Sequence, residues 1–315
     1  MTRKIDSLVE KTEPSAECKR LQIIIDKQQQ QIEDMRKAKF KLKLSKARRA
    51  KGKVFTRVIL PDTHGAHVDQ LAVSAFLQDL EMLKPSQMVR LGDHIDCGGF
   101  LAQHHTLGFV PECSFSFAED VEAANELLDQ TQKRTGQIED WYIVGNHEAR
   151  IEKWIVKETL RHPRDAQYFY QMFGTNAVLN LEKRGIQIVE RDKCYHGLAK
   201  RGTIRLGKCL FHHGTRTGVH AAKQNLDDVG GNIVFGHTHR ITSHVKETID
   251  GVIGAWSVGC LSQLHPLYGD TACSNWSHGY GIQVVEQDGT FLHLTIPIIE
   301  GRSMLHHLLD AGLAS

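Results

Sequence analysis

The chain has 315 residues, 41% of them hydrophobic, with 39 Lys and Arg against 37 Asp and Glu. It is long enough for one large domain or two small ones. It has no apolar run of about 18 residues, which excludes a membrane-spanning helix, and its start, Met1-Thr2-Arg3-Lys4, lacks the apolar core of a secretion signal. Seven cysteines, an odd number without a C-x-x-C pair, argue against a disulfide framework and for a cytoplasmic protein with reduced thiols.

The near-neutral total hides an asymmetry. Residues 1–53 carry 16 Lys and Arg against seven Asp and Glu, a net +9, and the remainder carries 23 against 30, a net −7. Within the extension, Leu21, Ile25, Gln28, Ile32, Met35, Lys39 and Leu42 recur at spacings of four and three. This is one helical seam with two poor positions. It suits either a short coiled coil that joins subunits into an oligomer or a lone amphipathic helix. The basic run Lys37–Lys53 suits either a contact with nucleic acid or a solvated linker. Domain limits follow at 1–53, 54–300 and a tail 301–315.

Val54–Leu60 reads as a strand. Val68–Leu83 reads as a helix with Leu71, Ala75, Leu80 and Leu83 on one side, ended by Pro85. Met88–Leu91 is a second strand, and this β-α-β order predicts a parallel pair. Cys97–Phe117 is an irregular insertion at the rim of any site that follows Asp96, with His104 and His105 as substrate contacts or as exposed loop residues. Ala118–Arg134 is helical, Trp141–Val144 a strand, and Glu148–Arg161 a helix broken at His162-Pro163. The aromatic group Tyr168–Phe173 reads as core or lid packing. Ile186–Glu190, Thr203–Leu206 and Lys208–His212 are strands, the last two a hairpin about Gly207. Thr217–Asp228 is a helix. Ile233–Phe235, Ile241–Thr248, Val252–Val258, Gly281–Gln287 and Thr290–Pro297 are assigned together to a second sheet, with a turn at Gln287-Asp288-Gly289. Met304–Leu313 is a short helix or a frayed end.

Five polar clusters punctuate this order: Asp62-Thr63-His64-Gly65, Gly92-Asp93-His94-Ile95-Asp96, Gly145-Asn146-His147-Glu148, His212-His213-Gly214 and Gly236-His237-Thr238-His239. Each follows an apolar, β-branched run, the pattern of a buried strand ending in a turn. Ligands of open α/β sheets bind beyond those carboxyl ends. Asp and Asn can also serve as turn formers at such places. Imidazole nitrogen with carboxylate or amide oxygen, and no thiol, suits a transition-metal site. The set exceeds what one tetrahedral ion needs.

The order D-x-H, G-D-x-x-D, G-N-H-E, H-G, G-H-x-H resembles the calcineurin-like metallophosphoesterase family over about residues 54–299. Gly254-Ala255-Trp256, Gly259-Cys260-Leu261, Asn275-Trp276 and Gly279-Tyr280-Gly281 further resemble a subgroup found in phage and prophage genomes, which implies the cytoplasm of a bacterial or phage-infected cell. The resemblance implies an α/β class fold, a two-sheet α/β/β/α sandwich, here with a basic helical extension. It implies two divalent transition-metal ions (Mn, Fe, Zn or Ni). Asp62, His64 and His239 would hold one, Asn146, His213 and His237 the other, and Asp93 would bridge them, with a water or hydroxide between the ions as nucleophile. His147 would be the general acid, oriented and kept protonated by Asp96. Where the protein-phosphatase branch has an Arg after the second Asp, this chain has Cys97, and Arg150 is the nearest replacement for that phosphate contact. The implied activity is phosphate-ester hydrolysis, with a phosphodiesterase or nuclease acting on nucleic acid or nucleotides as the first expectation. A phosphomonoesterase, including a protein phosphatase, is the alternative. A non-catalytic nucleic-acid-binding scaffold is the alternative outside enzymes.

Overall fold

The computed structural model describes residues 16–37, 53–98, 101, 116–265 and 274–310. The chain divides into two compact units, Met1–Ala50 and Lys51–Ser315. In the first, helix α1 spans Ala16–Lys37. Ile23, Ile24 and Ile25 on it are exposed, and Gln22 Nε2 donates to Asp26 Oδ1 one turn on. The seam positions Lys39 and Leu42, most of the basic run, and His104 and His105 lie outside the described residues.

The second unit contains β1 (Phe55–Leu60), α2 (Gln70–Leu83), β2 (Gln87–Arg90), α3 (Phe117–Thr135), β3 (Glu139–Ile143), α4 (Glu148–Thr159), α5 (Pro163–Phe173), α6 (Thr175–Val178) and β4 (Gln187–Val189). Next come β5 (Thr203–Leu206), β6 (Cys209–His212), α7 (Ala221–Val229), β7 (Ile233–Phe235), β8 (Ile241–Thr248), β9 (Gly251–Val258), β10 (Gly279–Val285), β11 (Phe291–Ile299), β12 (Arg302–Ser303) and α8 (Leu305–Asp310). They form a seven-stranded sheet, β12-β11-β10-β1-β2-β3-β4, and a five-stranded sheet, β5-β6-β7-β9-β8. Strands β1 to β4 run parallel, as do β6, β7 and β9.

Period-two alternation explains the layering. Ile59, Val89, Leu91, Ile143 and Val189 face one way and pack with Ile204, Phe211, Val234 and Val258 between the sheets. On the other face of the first sheet, Val58, Leu60 and Met88 pack under Phe76, Leu77 and Leu80 of α2. Tyr142 packs with Ala124, Leu128, Ile151 and Ile155 of α3 and α4. Leu210, Ile233, Phe235 and Ala255 cover the outer side of the second sheet with Ala221, Ala222 and Leu226 of α7. The result is a four-layer α/β/β/α sandwich. Strands buried on both faces read as continuous apolar runs, which is why they were legible in the sequence.

Three expectations need correction. Gly281–Gln287 and Thr290–Pro297 do not extend the second sheet: β10 pairs antiparallel with β1 (Ile59 opposite Gly281), and β11 pairs with β10, both in the first sheet. Alternation fixes which face a residue takes but not which strand is the partner. Leu71 is 67% exposed, and the buried stripe of α2 runs through Ala72, Val73, Ala75, Phe76, Leu77 and Leu80 instead. The aromatics of α5 do not form a core: no residue of that helix is buried. Phe169 packs partly against the cluster beneath α4, while Tyr168, Met172 and Phe173 are exposed.

Candidate metal centre

All five polar clusters lie just past strand ends: Asp62 after β1, Asp93 after β2, Asn146 after β3, His213 after β6, and His237 and His239 after β7. Parallel pairing brings those ends to one edge. Asp62, His64 and His239 gather their ligand atoms within 4.8 Å of one another, and so do Asp93, His213 and His237. A third group of the same kind, His64, Asp93 and His147, joins the two. His64, Asp93, His237 and His239 all have positive φ, between 51° and 66°. Such backbone is uncommon for non-glycine residues and persists where surrounding structure enforces it.

The enforcing contacts are visible. Thr63 N and His64 N both donate to Asp93 O, at 3.0 and 2.9 Å, and Gly65 N donates to His94 O at 2.9 Å. Gly236 N donates to His213 O at 2.8 Å. Glu148 is a fully buried hub for the second cluster. Its carboxylate accepts from Asp93 N (3.0 Å), His94 N (2.8 Å) and Gly145 N (2.9 Å), and from the Tyr142 hydroxyl (2.6 Å). Asp120 does the same beside it, accepting from Ala66 N, Asp96 N and Cys97 N. Glycines let the carboxylates in: a Cβ on Gly145 would overlap Asp93 Oδ1, and one on Gly236 would overlap Asp62 Oδ1. The sequence reading places Glu148 in the third cluster without a role and does not single out Asp120. Glu148 carried a signal, since it closes the third cluster at the first turn of a helix, where a carboxylate suits the helix N-terminus. Asp120 carried none.

Inside the cluster, lone pairs face one another. His213 Nδ1 lies 2.7 Å from Leu91 O, so this nitrogen carries the hydrogen. His213 Nε2 then points at Asn146 Oδ1 (2.8 Å) and Asp93 Oδ2 (3.2 Å), two further acceptors. His64 Nδ1 is 2.8 Å from Asp96 Oδ1, which leaves His64 Nε2 facing His239 Nε2 at 3.0 Å. His239 Nε2 is also 3.1 Å from Asp62 Oδ2. Acceptors converge like this around a cation. The two carboxylates Asp93 and Asp62 also make this a place where positive charge is favoured. Burial works against the His213 cation, yet Asp93 and Asp62 outweigh it and lift the pKa to about 9. Burial, reinforced by His147, lowers His64 to about 4, and burial with His213 lowers His237 to about 4, so both are neutral donors. Asp93 stays ionised well below the usual carboxylate range: burial alone would raise its pKa, but His213 and His147 overcome that. The donor set therefore fits two hard-to-borderline divalent ions with imidazole and oxygen ligands.

His147 and Asp96 sit together, but Asp96 has more than one duty. Its carbonyl accepts from His147 Nδ1 (2.7 Å) and Arg150 Nη1 (3.0 Å), while its Oδ1 lies 2.8 Å from His64 Nδ1 and 3.2 Å from His147 Nδ1. Arg150 is only 8% exposed, with Nη2 3.3 Å from His147 Nε2. Its guanidinium is thus engaged within the site. Trp276 meets the His239 ring edge-on, with centroids 4.1 Å apart.

No family model matches the chain, and no curated protein matches it. Among solved structures it is similar to a Vps29 single mutant from Entamoeba histolytica, with 12% identity, TM-score 0.37, and coverage of 79% of this chain and 95% of that one. It is similar to the E. coli phosphoesterase YfcE at 18% identity and TM-score 0.33, covering 78% of this chain and 100% of that one. It is similar to the nuclease MPE of Pseudomonas putida at 14% identity and TM-score 0.31, covering 76% and 87%. Among the described residues, no helix is long and apolar enough to cross a membrane.

Proposed function

We propose that the chain is a dinuclear-metal phosphoesterase of the calcineurin-like family. The observation that carries this reading is the pair of three-residue ligand groups, contributed by different strand ends and linked through Asp93 and His64. Asp62, His64 and His239 would hold one ion, Asn146, His213 and His237 the other, and Asp93 would serve both. Two such ions supply charge for the phosphoryl oxygens and a water nucleophile usable near neutral pH. The phage-type resemblance rests on the Gly254–Gly281 stretch and adds a preference among substrates only.

His147 supplies the proton. Its Nδ1–H is fixed on the Asp96 carbonyl, so Nε2 is the atom that can give a proton to a departing oxygen. Burial opposes the charged ring, but Asp93 and the hydrogen bond to Asp96 outweigh it and the nearby Arg150, lifting the pKa to about 9. Asp93 Oδ2 lies 3.9 Å from Nε2, beyond hydrogen-bond reach but close enough for its charge to favour the protonated ring.

The preferred substrate is a phosphodiester of nucleic acid or a nucleotide, favoured by the net +9 extension. The test is a panel with metal-loaded protein: bis-p-nitrophenyl phosphate, p-nitrophenyl phosphate, cyclic nucleotides, and single- and double-stranded DNA and RNA. Diester turnover above monoester turnover is expected. The reverse order would assign a phosphomonoesterase, protein phosphatase included. Binding of nucleic acid with no turnover of any ester would leave a scaffold.

A further inference from the structure

A groove of about 410 Å³ opens beside the centre and is lined by Asn146, Ala149, Glu152, Lys153, Val156 and Arg191. It therefore begins at a ligand residue and follows α4, whose Ala149, Lys153 and Val156 share one face at helical spacing. Arg191 arrives from the opposite wall for a topological reason. Strand β4 is the outermost of the four parallel strands and pairs with β3 in the register Ile143 opposite Val189. Two residues further on, Asn146's neighbour Gly145 and Arg191 emerge at the same carboxyl edge that delivers Asp62, Asp93 and Asn146. Ligands of parallel sheets collect along that edge.

Arg191 is also the cation with nothing to do. Its Nη1 is buried and has no hydrogen-bond partner, and among the described residues its side chain makes no ion pair. It lines the groove together with the ligand residue Asn146, which sets it beside the centre. Of the neighbouring carboxylates, Glu190 is tied to Lys193 and accepts from the Tyr170 hydroxyl, and Glu152, which shares the groove and feels the Arg191 charge, makes no ion pair with it. Arg150, by contrast, is spent on Asp96 and His147.

We propose that Arg191, assisted by Lys153, anchors a second anionic group of the substrate in this groove, a phosphate flanking the one that is cleaved. Ala149 and Val156 offer the apolar wall that a sugar or base between the two phosphates needs. The proposal rests on the phosphoesterase reading for the identity of the cleaved group and narrows its substrate to a nucleotide chain bearing at least two phosphates. Guanidinium is suited to this task because it binds phosphate through two parallel N–H groups.

The test compares full-length, metal-loaded protein with Arg191→Ala, Arg191→Lys and Arg302→Ala, the last an exposed Arg on β12 at the far end of the same sheet. Calorimetry measures affinity for thymidine 3′,5′-bisphosphate and for thymidine 5′-monophosphate. Turnover is measured on the p-nitrophenyl ester of thymidine 5′-phosphate with and without a 3′-phosphate. The wild type should prefer the doubly phosphorylated member of each pair by roughly tenfold or more, the size of one charge-assisted contact. Arg191→Ala should erase that preference, Arg191→Lys should keep part of it, and Arg302→Ala should keep all of it. An undiminished preference in Arg191→Ala, or none in the wild type, overturns the proposal. Failure of the phosphoesterase reading looks different: neither ester is turned over by the wild type, while the calorimetric comparison still decides the role of Arg191.

Discussion

Replacing Glu148 by Gln changes one atom in a site that accepts hydrogen bonds from five groups: Asp93 N and Gly145 N on Oε2, and His94 N, Ile95 N and the Tyr142 hydroxyl on Oε1. Burial and the Asp93 charge raise the Glu148 pKa, but an acceptor-only carboxylate is the form that suits this set of donors. The Gln amide must put its NH₂ against one of the two groups of donors. On the Oε2 side it strands two buried backbone N–H groups, each costing about 1–3 kcal/mol. The sum is about 2–6 kcal/mol, and a domain of this size loses about 2–4 °C of Tm per kcal/mol. A fall on the order of 10 °C in a thermal melt followed by circular dichroism is expected. A Tm within about 2 °C of wild type would refute the idea that Glu148 holds the second and third clusters together.

Asp93→Ala should reduce bound metal, measured by elemental analysis after reconstitution and desalting, from two ions per chain towards none, because this carboxylate would serve both ions, belonging to one ligand group and to the group that joins it to the other; retention of both ions would sink the dinuclear assignment. His147→Ala should keep both ions yet lose roughly 10²–10⁴-fold in rate on an ester with an alkoxide leaving group and little on p-nitrophenyl esters; equal losses on both would remove its role as acid. Asp96→Asn should differ from His147→Ala by also weakening metal binding about 10–100-fold in a chelator titration, since Asp96 Oδ1 orients the ligand His64; unchanged affinity would confine Asp96 to His147. Full-length protein should bind DNA with an affinity that falls steeply with salt, and a chain beginning at Lys53 should lose most of it; equal affinities would free the extension of that role.

The layers and the five clusters were legible because strands buried on both faces write themselves as apolar runs, and because the turn that ends each run needs small or polar residues. What was hidden is pairing. Nothing in Gly281–Gln287 says that its neighbour is β1, more than 200 residues earlier, rather than β9 just before it. The supports of the centre were hidden for a related reason. Asp120 lies in an ordinary amphipathic helix, and only the fold sets its carboxylate against Ala66 N, Asp96 N and Cys97 N. Arg191 likewise reads as one charge among Glu190, Asp192 and Lys193 until the register of β3 and β4 places it level with the third cluster.

The left-handed ligand residues tie these supports to function. Each of His64, Asp93, His237 and His239 holds a backbone conformation that costs of order 1 kcal/mol or more. None is held by its own segment alone. The His64 turn hangs on Asp93 O, the Asp93 turn hangs on Glu148 from the third cluster, and the His237 turn is fixed by its N–H on the Asp62 carboxylate at 3.0 Å and by Gly236 N on His213 O. Every cluster is therefore a brace for another, across both sheets. A centre braced in this way has its ligand positions fixed by hydrogen bonds between the clusters themselves. Its stability and its geometry are then one property: a change that loosens one turn shifts ligands contributed by strands far away in sequence.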